Sequence, residues 1–504
     1  MKVGTSETAP PQRRGLGRNI TALAGGQAIT WIMSLLWTLV VPRLLGPTGM
    51  GILVTATSAT AILGVVLGLG ARNYLVRVMV ADRQAGASIV GTALVLRVCL
   101  FPVYAAGVVV YGHYAHLNSQ ATTVLYLVAA ATMLTLLEEP IQATFQAIER
   151  MEYLAFGDVF ERTAQSLLGI ALAVAGFGVV GLTGASLVIT SVGMTLYVRW
   201  IRRHVHIDLR TSLAKVRTLV TGSMPYWAFG VFFMTYLWID SAMLAAMTRP
   251  EVVGWYGLPT KLFTTLMFAP AILSTAWLPR LVSAFEEDGS RLWAVAKAPT
   301  ELVFLIGLPI CALTGMLSPA AIPLLFGNGY RNAVPVMVVL ALSLPPMYLN
   351  IMLNQILIAA KRPMDWTWLM ASATVVNPIL NYGLIRYFQA RHHNGAIGAA
   401  WALLFTELLI LFVGMGLAGR RVLDASSLWR FIRAGLSTGG MVGTMYLLRQ
   451  AGFVAAGVGG VVVFVLLAGL LRIASAEEVA QLRGMIGAVG TRIRSWPSRS
   501  SARP

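Results

Sequence analysis

The sequence is poor in charged residues and in cysteine. Only 12% of its 504 residues are Asp, Glu, Lys or Arg, whereas a soluble domain carries about 25%. Its two cysteines, Cys99 and Cys311, lie in apolar stretches far apart in the chain, which argues against a disulfide framework or a cysteine metal site. The low charge, with 57% hydrophobic residues and a mean hydropathy of +0.73, indicates a polytopic helical membrane protein.

Apolar stretches separated by hydrophilic breaks predict an all-α fold with fourteen membrane spans, because about 20 apolar residues cross a bilayer. The first six lie near residues 20–42, 51–71, 88–112, 121–147, 155–176 and 178–200. The next six lie near 219–247, 253–278, 299–318, 333–359, 365–387 and 395–418, and the last two near 431–449 and 453–472.

Acidic residues are scarce, and the 38 basic against 20 acidic residues give a net charge of +18. With a cytoplasmic N-terminus, 30 of the basic residues fall in predicted cytoplasmic segments and their flanks, six in outside turns and two, Arg97 and Lys261, in the membrane. This bias predicts that both termini are cytoplasmic. The positive charge is then explained by topology and by contact with anionic membrane lipids, and we expect no nucleic-acid partner.

A constant offset of 203 residues relates the two halves of the chain. The matched pairs are Pro47–Pro250, Gly51–Gly254, Thr57–Thr260, Leu63–Leu266, Leu75–Leu278 and Arg77–Arg280. Parallel repeats are a known transporter plan with the substrate site between the halves. We predict a polar N-terminal tail at 1–19, an N-terminal lobe at 20–200, a basic cytoplasmic linker at 201–218, a C-terminal lobe at 219–418, two further helices at 419–472 and a basic tail at 473–504.

Three charged residues share a depth in the third and fourth predicted spans. Arg97 lies about nine residues from the cytoplasmic end of its span, and Glu138 and Glu139 lie as deep in theirs. A pair between Arg97 and one of these carboxylates is therefore expected. It is either a buried ion pair that locks two helices, or a site where Arg97 binds a pyrophosphate or an acidic sugar.

Asp240 and Lys261 have matching depths in the seventh and eighth predicted spans, on either side of a short turn. We expect the two side chains to pair. The pair is either a structural salt bridge between helices, or a pair in the cavity that opens when a substrate phosphate competes for Lys261.

Further polar residues lie in the C-terminal lobe. Glu407 is in the middle of the twelfth span without an obvious partner, so it is a candidate for ion coupling or for a hydrogen-bonded structural role. Asn350, Asn354, Asn377 and Asn381 lie on helices that are broken by Pro345, Pro346 and Pro378. They are candidates to line a sugar path or to join helices by hydrogen bonds.

The chain resembles the Wzx-type polysaccharide flippases of the multidrug/oligosaccharidyl-lipid/polysaccharide exporter superfamily. The segment RLLGPTGMGILV is similar to the Arg-x-Leu-Gly-Pro-x-x-x-Gly turn of that family, and IDSAMLAAMTRPEVVGWYGLPTKL and IPLLFGNGYRNAVPVMVVLALSLP are similar to two later hairpins. The resemblance implies a fourteen-helix, two-lobed carrier in the bacterial plasma membrane. It would move undecaprenyl-pyrophosphate-linked oligosaccharides by alternating access, with polysaccharide polymerase or assembly proteins as partners and with protons or sodium left open as the coupling ion.

Other functions fit the sequence less well. A drug/cation antiporter of the superfamily needs a carboxylate in its N-terminal lobe, typically in the first helix, where this chain has only Gln27. The first-helix arginine pattern of a lipid II flippase is not found. An enzyme is not expected, because the chain lacks an Asp-x-Asp motif and a large outside loop. We expect no cofactor and no metal, and the spacing of His113 and His116 alone is weak evidence for one.

Overall fold

The computed structural model describes residues 16–418 and 422–473, and within these ranges every regular element is helical. The predicted tails at 1–19 and 473–504 lie almost entirely outside the described residues. The first helices are α1 (Leu16–Gly68), α2 (Ala71–Ala81), α3 (Arg83–Tyr114), α4 (Ser119–Ala147), α5 (Met151–Val174), α6 (Gly178–Ile201), α7 (Leu213–Met247) and α8 (Pro250–Leu266). They are followed by α9 (Phe268–Glu287), α10 (Arg291–Phe326), α11 (Val334–Leu342), α12 (Leu344–Ala359), α13 (Pro363–His392), α14 (Gly395–Ala418), α15 (Ala425–Leu447) and α16 (Phe453–Leu470).

Polar caps set the start of several helices. Asp82 accepts hydrogen bonds from two backbone amides at the start of α3, and Asn118 accepts one at the start of α4. Ser212 caps α7 in the same way, and Asp424 forms a reciprocal capping box with Ser427 at the start of α15. Each cap satisfies amide groups that a helix leaves without an internal partner.

Several predicted spans are broken helices. α1 contains the first two predicted spans, and its break is at Gly46, whose φ of +66° suits glycine. Pro47 then starts the second part, where its missing N–H costs nothing. The predicted span at 253–278 is divided into α8 and α9 at Met267, and the predicted span at 333–359 contains α11 and α12, which meet at a bend of 42°.

The all-α prediction is confirmed, but the count of fourteen spans is not. Among the described residues, ten helical segments are long and apolar enough to cross a membrane, or eleven if the bent pair is one span. The separate helices α5 and α6 are present as predicted, but α5 is too polar, because Glu152, Asp158, Glu161 and Arg162 interrupt its apolar sequence. α15 also falls short, since it combines Arg residues with many Ser, Thr and Gly residues.

The turns related by the offset of 203 residues contact each other. A Cβ atom built on Gly51 would overlap the carbonyl oxygen of Pro250, and one built on Gly254 would overlap that of Pro47. The hydroxyl of Thr48 donates to Glu251, 3.2 Å away, and these two residues are also 203 apart. Exchanging the two repeats reproduces the same contacts, as expected for a local two-fold relationship between them.

The described residues form two compact units. The first contains residues 1–262, 322–336 and 367–406 as far as they are described. Its apolar core includes Val124 and Leu125 of α4 packed with Val108 of α3, while α1 packs against α4, α5 and α7. The second contains 263–321, 337–366 and the described part of 407–504. In this unit α15 packs on α16, and Met441 packs with Ala312 of α10.

Candidate functional site

A buried polar cluster surrounds Asp240 in the first unit. Asp240 is only 4% exposed. Its Oδ2 accepts a hydrogen bond of 2.7 Å from the hydroxyl of Tyr256 on α8, and its Oδ1 accepts one of 2.6 Å from Nδ2 of Asn381 on α13. Neutral donors from two neighbouring helices therefore form hydrogen bonds to this carboxylate. These hydrogen bonds offset part of the free energy that desolvation of a buried acid costs.

The cluster continues along α13. Nδ2 of Asn381 also lies 2.8 Å from Oδ1 of Asn377, one helical turn earlier. Nδ2 of Asn377 donates to Oγ1 of Thr406 on α14 at 3.3 Å. Asn377, a predicted cavity residue, is thus brought together with Asp240, while Asn381 and Thr406 complete the connection. Oδ1 of Asn381 is buried and has no hydrogen-bond partner within the described chain.

Lys261 does not pair with Asp240, so this prediction is wrong. Its Nζ lies 3.2 Å from the centre of the Trp37 ring, in a cation–π contact between α8 and α1. Residues five positions apart on a helix point about 140° apart. Because Tyr256 of α8 faces Asp240, Lys261 is directed elsewhere on the same helix. Arg162 of α5 is close enough for its charge to act on Lys261.

Arg97 forms the predicted ion pair. Its Nη2 lies 2.6 Å from Oε2 of Glu139, and the side chain is completely buried. The guanidinium also donates to the carbonyls of Leu67, Gly68 and Leu136. Two of these carbonyls belong to the end of α1, where a helix leaves acceptors unsatisfied. This arrangement favours the structural alternative, in which Arg97 joins α1, α3 and α4.

Glu138 is not the partner of Arg97. It points about 100° away from Glu139 around α4, close enough to Glu161 and Asp158 of α5 for their carboxyl groups to act on it. Glu161 could not be predicted from complementary charge, because both it and Glu138 are acids.

Glu407 has a hydrogen-bond partner in the second unit, as the structural alternative for this residue expects. Nδ2 of Asn350 donates to Oε2 of Glu407 at 2.7 Å and to its backbone carbonyl at 2.9 Å. Two predicted site residues are therefore joined, and Glu407 is not an isolated carboxylate. Asn354 follows Asn350 by one turn on α12 and is half-buried.

Neutral side chains supply most of the partners that sequence analysis missed. Tyr256 and Trp37 carry no charge, so the pattern of charged residues in apolar spans does not point to them. Within residues 16–418 and 422–473, no three His, Cys, Asp or Glu side chains come together as a metal site.

Comparison with known proteins identifies the family. The family model described as "Polysaccharide biosynthesis protein" matches residues 16–285. No protein with a curated description matches the chain.

Solved structures share the fold. The lipid II flippase MurJ in an inward closed conformation is similar with a TM-score of 0.71 and 10% identity, over 90% of this chain and 98% of that one. An inward-facing multidrug resistance MATE family transporter of the MOP superfamily is similar with a TM-score of 0.58 and 16% identity, over 80% and 98%. At these identities the likeness concerns the fold alone.

Proposed function

This chain belongs to the polysaccharide biosynthesis protein family, and we propose that it is a flippase for oligosaccharides linked to a polyprenyl pyrophosphate. The structural neighbours place the fold among the flippases and transporters of the superfamily that the sequence resembles. The chain is a multi-pass membrane protein. We propose the bacterial inner membrane as its location, with cytoplasmic termini.

One observation about charge supports an anionic substrate. Lys261 is held over Trp37 in the part of the predicted span at 253–278 that lies nearer the outside turn, with a second cation, Arg162, close to it. Two nearby cations repel each other where the dielectric constant is low. A pyrophosphate group bound between them removes this repulsion and accepts hydrogen bonds from both side chains. We therefore propose that Lys261 contacts the pyrophosphate and that Arg162 assists it.

The transport mechanism that we propose involves no bond making. The predicted lobes at 20–200 and 219–418 rock about a central cavity, so that the cavity opens to one side of the membrane and then to the other. The cavity takes the charged, sugar-bearing head group, while the polyprenyl chain stays in the lipid. Such a cycle needs differential contacts with the substrate in its two states, and Lys261 is the residue that we expect to supply them.

The other predicted site residues receive supporting roles in this proposal. The cluster of Asp240, Asn377 and Asn381 joins α7, α8, α13 and α14 by buried hydrogen bonds, so we propose that it positions α8 and thereby Lys261. Asn350 holds Glu407, which remains a candidate for coupling to protons or sodium. Asn354 is the half-buried amide that we propose for sugar contacts.

The test is translocation of a fluorescent polyprenyl-pyrophosphate oligosaccharide in proteoliposomes. We expect the wild-type protein to flip the lipid and Lys261→Gln to slow flipping at least tenfold with normal thermal stability. Lys361→Gln is the matched control, because Lys361 is exposed and pairs with Glu286 on the surface.

Two other outcomes would replace the proposal. If the protein flips lipid II and does not flip the oligosaccharide lipid, its substrate is that of the lipid II flippase MurJ. Export of organic cations, with neither lipid moved, would make it a drug antiporter.

A further inference from the structure

The side chain of Glu138 on α4 is buried without a partner for its charge. It is 1% exposed, and neither carboxyl oxygen has a hydrogen-bond partner within the described chain. The guanidinium of Arg97 is engaged by the neighbouring residue Glu139 and by three carbonyls. A buried carboxylate without a cation or donor is strongly disfavoured relative to the neutral acid.

A second carboxyl group meets Glu138 over a glycine of α6. A Cβ atom built on Gly193 would overlap Oε1 of Glu161 and lie 3.3 Å from Oε1 of Glu138. Both oxygens therefore reach the same small space, which exists because residue 193 has no side chain. Oε1 of Glu161 is also buried without a hydrogen-bond partner among the described residues.

Tyr197 lies one turn further along α6, close enough to Glu138 and Glu161 for their charges to act on it. It is 1% exposed, and its hydroxyl packs against Gly157 of α5 and has no hydrogen-bond partner among the described residues. A phenol can donate a proton to a carboxylate or accept one from a carboxylic acid. The group thus contains two carboxyls and a hydroxyl with unused hydrogen-bonding capacity.

The charged groups around the pair come from two helices. Asp158 and Arg162 of α5 act on Glu161, and Arg72 of α2 acts on Asp158. Glu138 itself is affected by the two acids, Glu161 and Asp158. Ionisation of two adjacent carboxyl groups is unfavourable, because the two negative charges repel each other. One proton shared between the groups removes this repulsion. A metal ion is a poorer occupant, because these side chains do not converge in a metal-binding arrangement within the described residues.

We propose that Glu138 and Glu161 form a proton-binding site that holds one proton between them in this conformation. The proton comes from water when the site becomes accessible. It returns to water when a conformational change lets Arg162 pair with the ionised Glu161. Tyr197 keeps the occupied site closed to solvent.

A role in transport rests on the proposed flippase function, whereas proton binding itself does not. If the site is occupied in one conformation and empty in another, a pH difference across the membrane shifts the balance between the two. The site would then couple translocation to protons.

Infrared spectroscopy of the purified full-length protein tests the site directly, because a protonated carboxyl group has a C=O band distinct from that of a carboxylate. At pH 7 we expect this band in the wild type and its reduction in Glu138→Gln and in Glu161→Gln. Asp365→Asn is the control, since Asp365 is a surface carboxylate paired with Arg362, and should leave the band unchanged. Absence of the band in the wild type, or its persistence in both Gln variants, would overturn the proposal.

Gly193→Ala gives a second test that keeps both acids. The added methyl group would displace Glu161 from Glu138, so we expect the band to disappear at a lower pH than in the wild type. An unchanged titration would show that the carboxyl groups do not share a proton. In proteoliposomes, we expect a pH gradient to change the flipping rate of the wild type but not of Glu138→Gln. If the wild type does not flip the lipid, the proposed function fails, and the infrared result still decides the proton site.

Discussion

Gly51 packs against the backbone carbonyl of Pro250, and the equivalent glycine of the second repeat, Gly254, packs against that of Pro47. The two contacts are related by the offset of 203 residues found in the sequence. They require residues without a side chain, because the helices approach each other through their backbones. The two turns that match in sequence therefore contact each other reciprocally in the structure.

Replacing either glycine by alanine should disturb this contact. The new methyl group would overlap a carbonyl oxygen, and overpacking of this kind costs about 1–3 kcal/mol. We expect Gly51→Ala and Gly254→Ala each to lower the melting temperature of the protein in detergent. Because both changes open the same contact, the double variant should lose less than the sum of the single losses.

Gly64→Ala is the matched control on α1. A Cβ atom there would lie 3.4 Å from side-chain atoms of Leu136 and Thr132, which is ordinary packing, and alanine favours a helix by about 1 kcal/mol over glycine. Its melting temperature should equal or exceed that of the wild type. If Gly51→Ala behaves like Gly64→Ala, the close approach of the two turns is not tight in solution.

Most helices could be predicted from the sequence because burial in a membrane requires long apolar stretches. The breaks within these stretches could be predicted less well. The turn at Gly46 has a clear signal, a glycine followed by Pro47. The bend between α11 and α12 has a signal as well, because Pro345 and Pro346 lie in the first turn of α12. The break at Met267 depends more on tertiary packing, since the hydroxyl of Tyr348 donates to the carbonyl of Leu266 beside it.

The candidate site could also be predicted only in part. Depth along a helix follows from residue number, and it predicted that Arg97 meets a carboxylate of α4. Direction around a helix depends on packing, and for that reason Lys261 and Asp240 share a depth and yet have different partners. Neutral partners such as Tyr256 escaped prediction because uncharged polar residues are common in membrane helices.

Arg97→Ala should destabilise the protein strongly. Glu139 and the carbonyls at the end of α1 would stay buried without their donor, and removal of one partner from a buried ion pair costs about 3–5 kcal/mol. We expect a large fall in melting temperature. Arg150→Ala is the control, because the exposed pair of Arg150 with Glu152 is worth at most about 1 kcal/mol.

The two interpretations of Arg97 predict different results. In the structural one, the double variant Arg97→Met, Glu139→Gln regains part of the lost stability, since no buried charge remains. If Arg97 binds the substrate, Arg97→Ala would keep its melting temperature and lose translocation.

Tyr256→Phe should weaken the cluster around Asp240 without removing a charge. The substitution deletes one hydrogen bond to a buried carboxylate, a type of bond that contributes about 1.5–3 kcal/mol. We expect a lower melting temperature and, because α8 carries Lys261, slower translocation. Tyr226→Phe deletes a hydroxyl that accepts a hydrogen bond from Arg77 in an exposed position, and it should have little effect. Equal behaviour of the two variants would show that the Tyr256 contact adds no stability.

Asp424 at the start of α15 provides a prediction about pH. The ammonium of Lys297 lies 2.6 Å from its carboxylate, and Ser426 and the amide of Ser427 also donate to it. These contacts, led by the bond from Lys297, hold the pKa of Asp424 well below its usual range. Since the pKa is lower in the folded protein, the stabilisation is complete above the pKa of an unfolded Asp, about 3.9. It is lost as the pH falls toward the lower folded value.

Asp424→Asn should therefore lower the melting temperature at pH 7. Its difference in melting temperature from the wild type should shrink below about pH 4, because there the wild type also loses the stabilisation that the ionised Asp424 provides. Lys297→Met should reproduce part of the effect at pH 7, because it removes the partner whose bond lowers the pKa of Asp424 most. Asp365→Asn is the control, because Asp365 is a half-buried acid at the surface that pairs with Arg362 three residues away. Measurements of thermal unfolding between pH 3 and 8 compare the three variants. A difference between Asp424→Asn and the wild type that stays constant down to pH 3 would contradict the prediction, because it would show that the lost stability does not depend on the ionisation of Asp424.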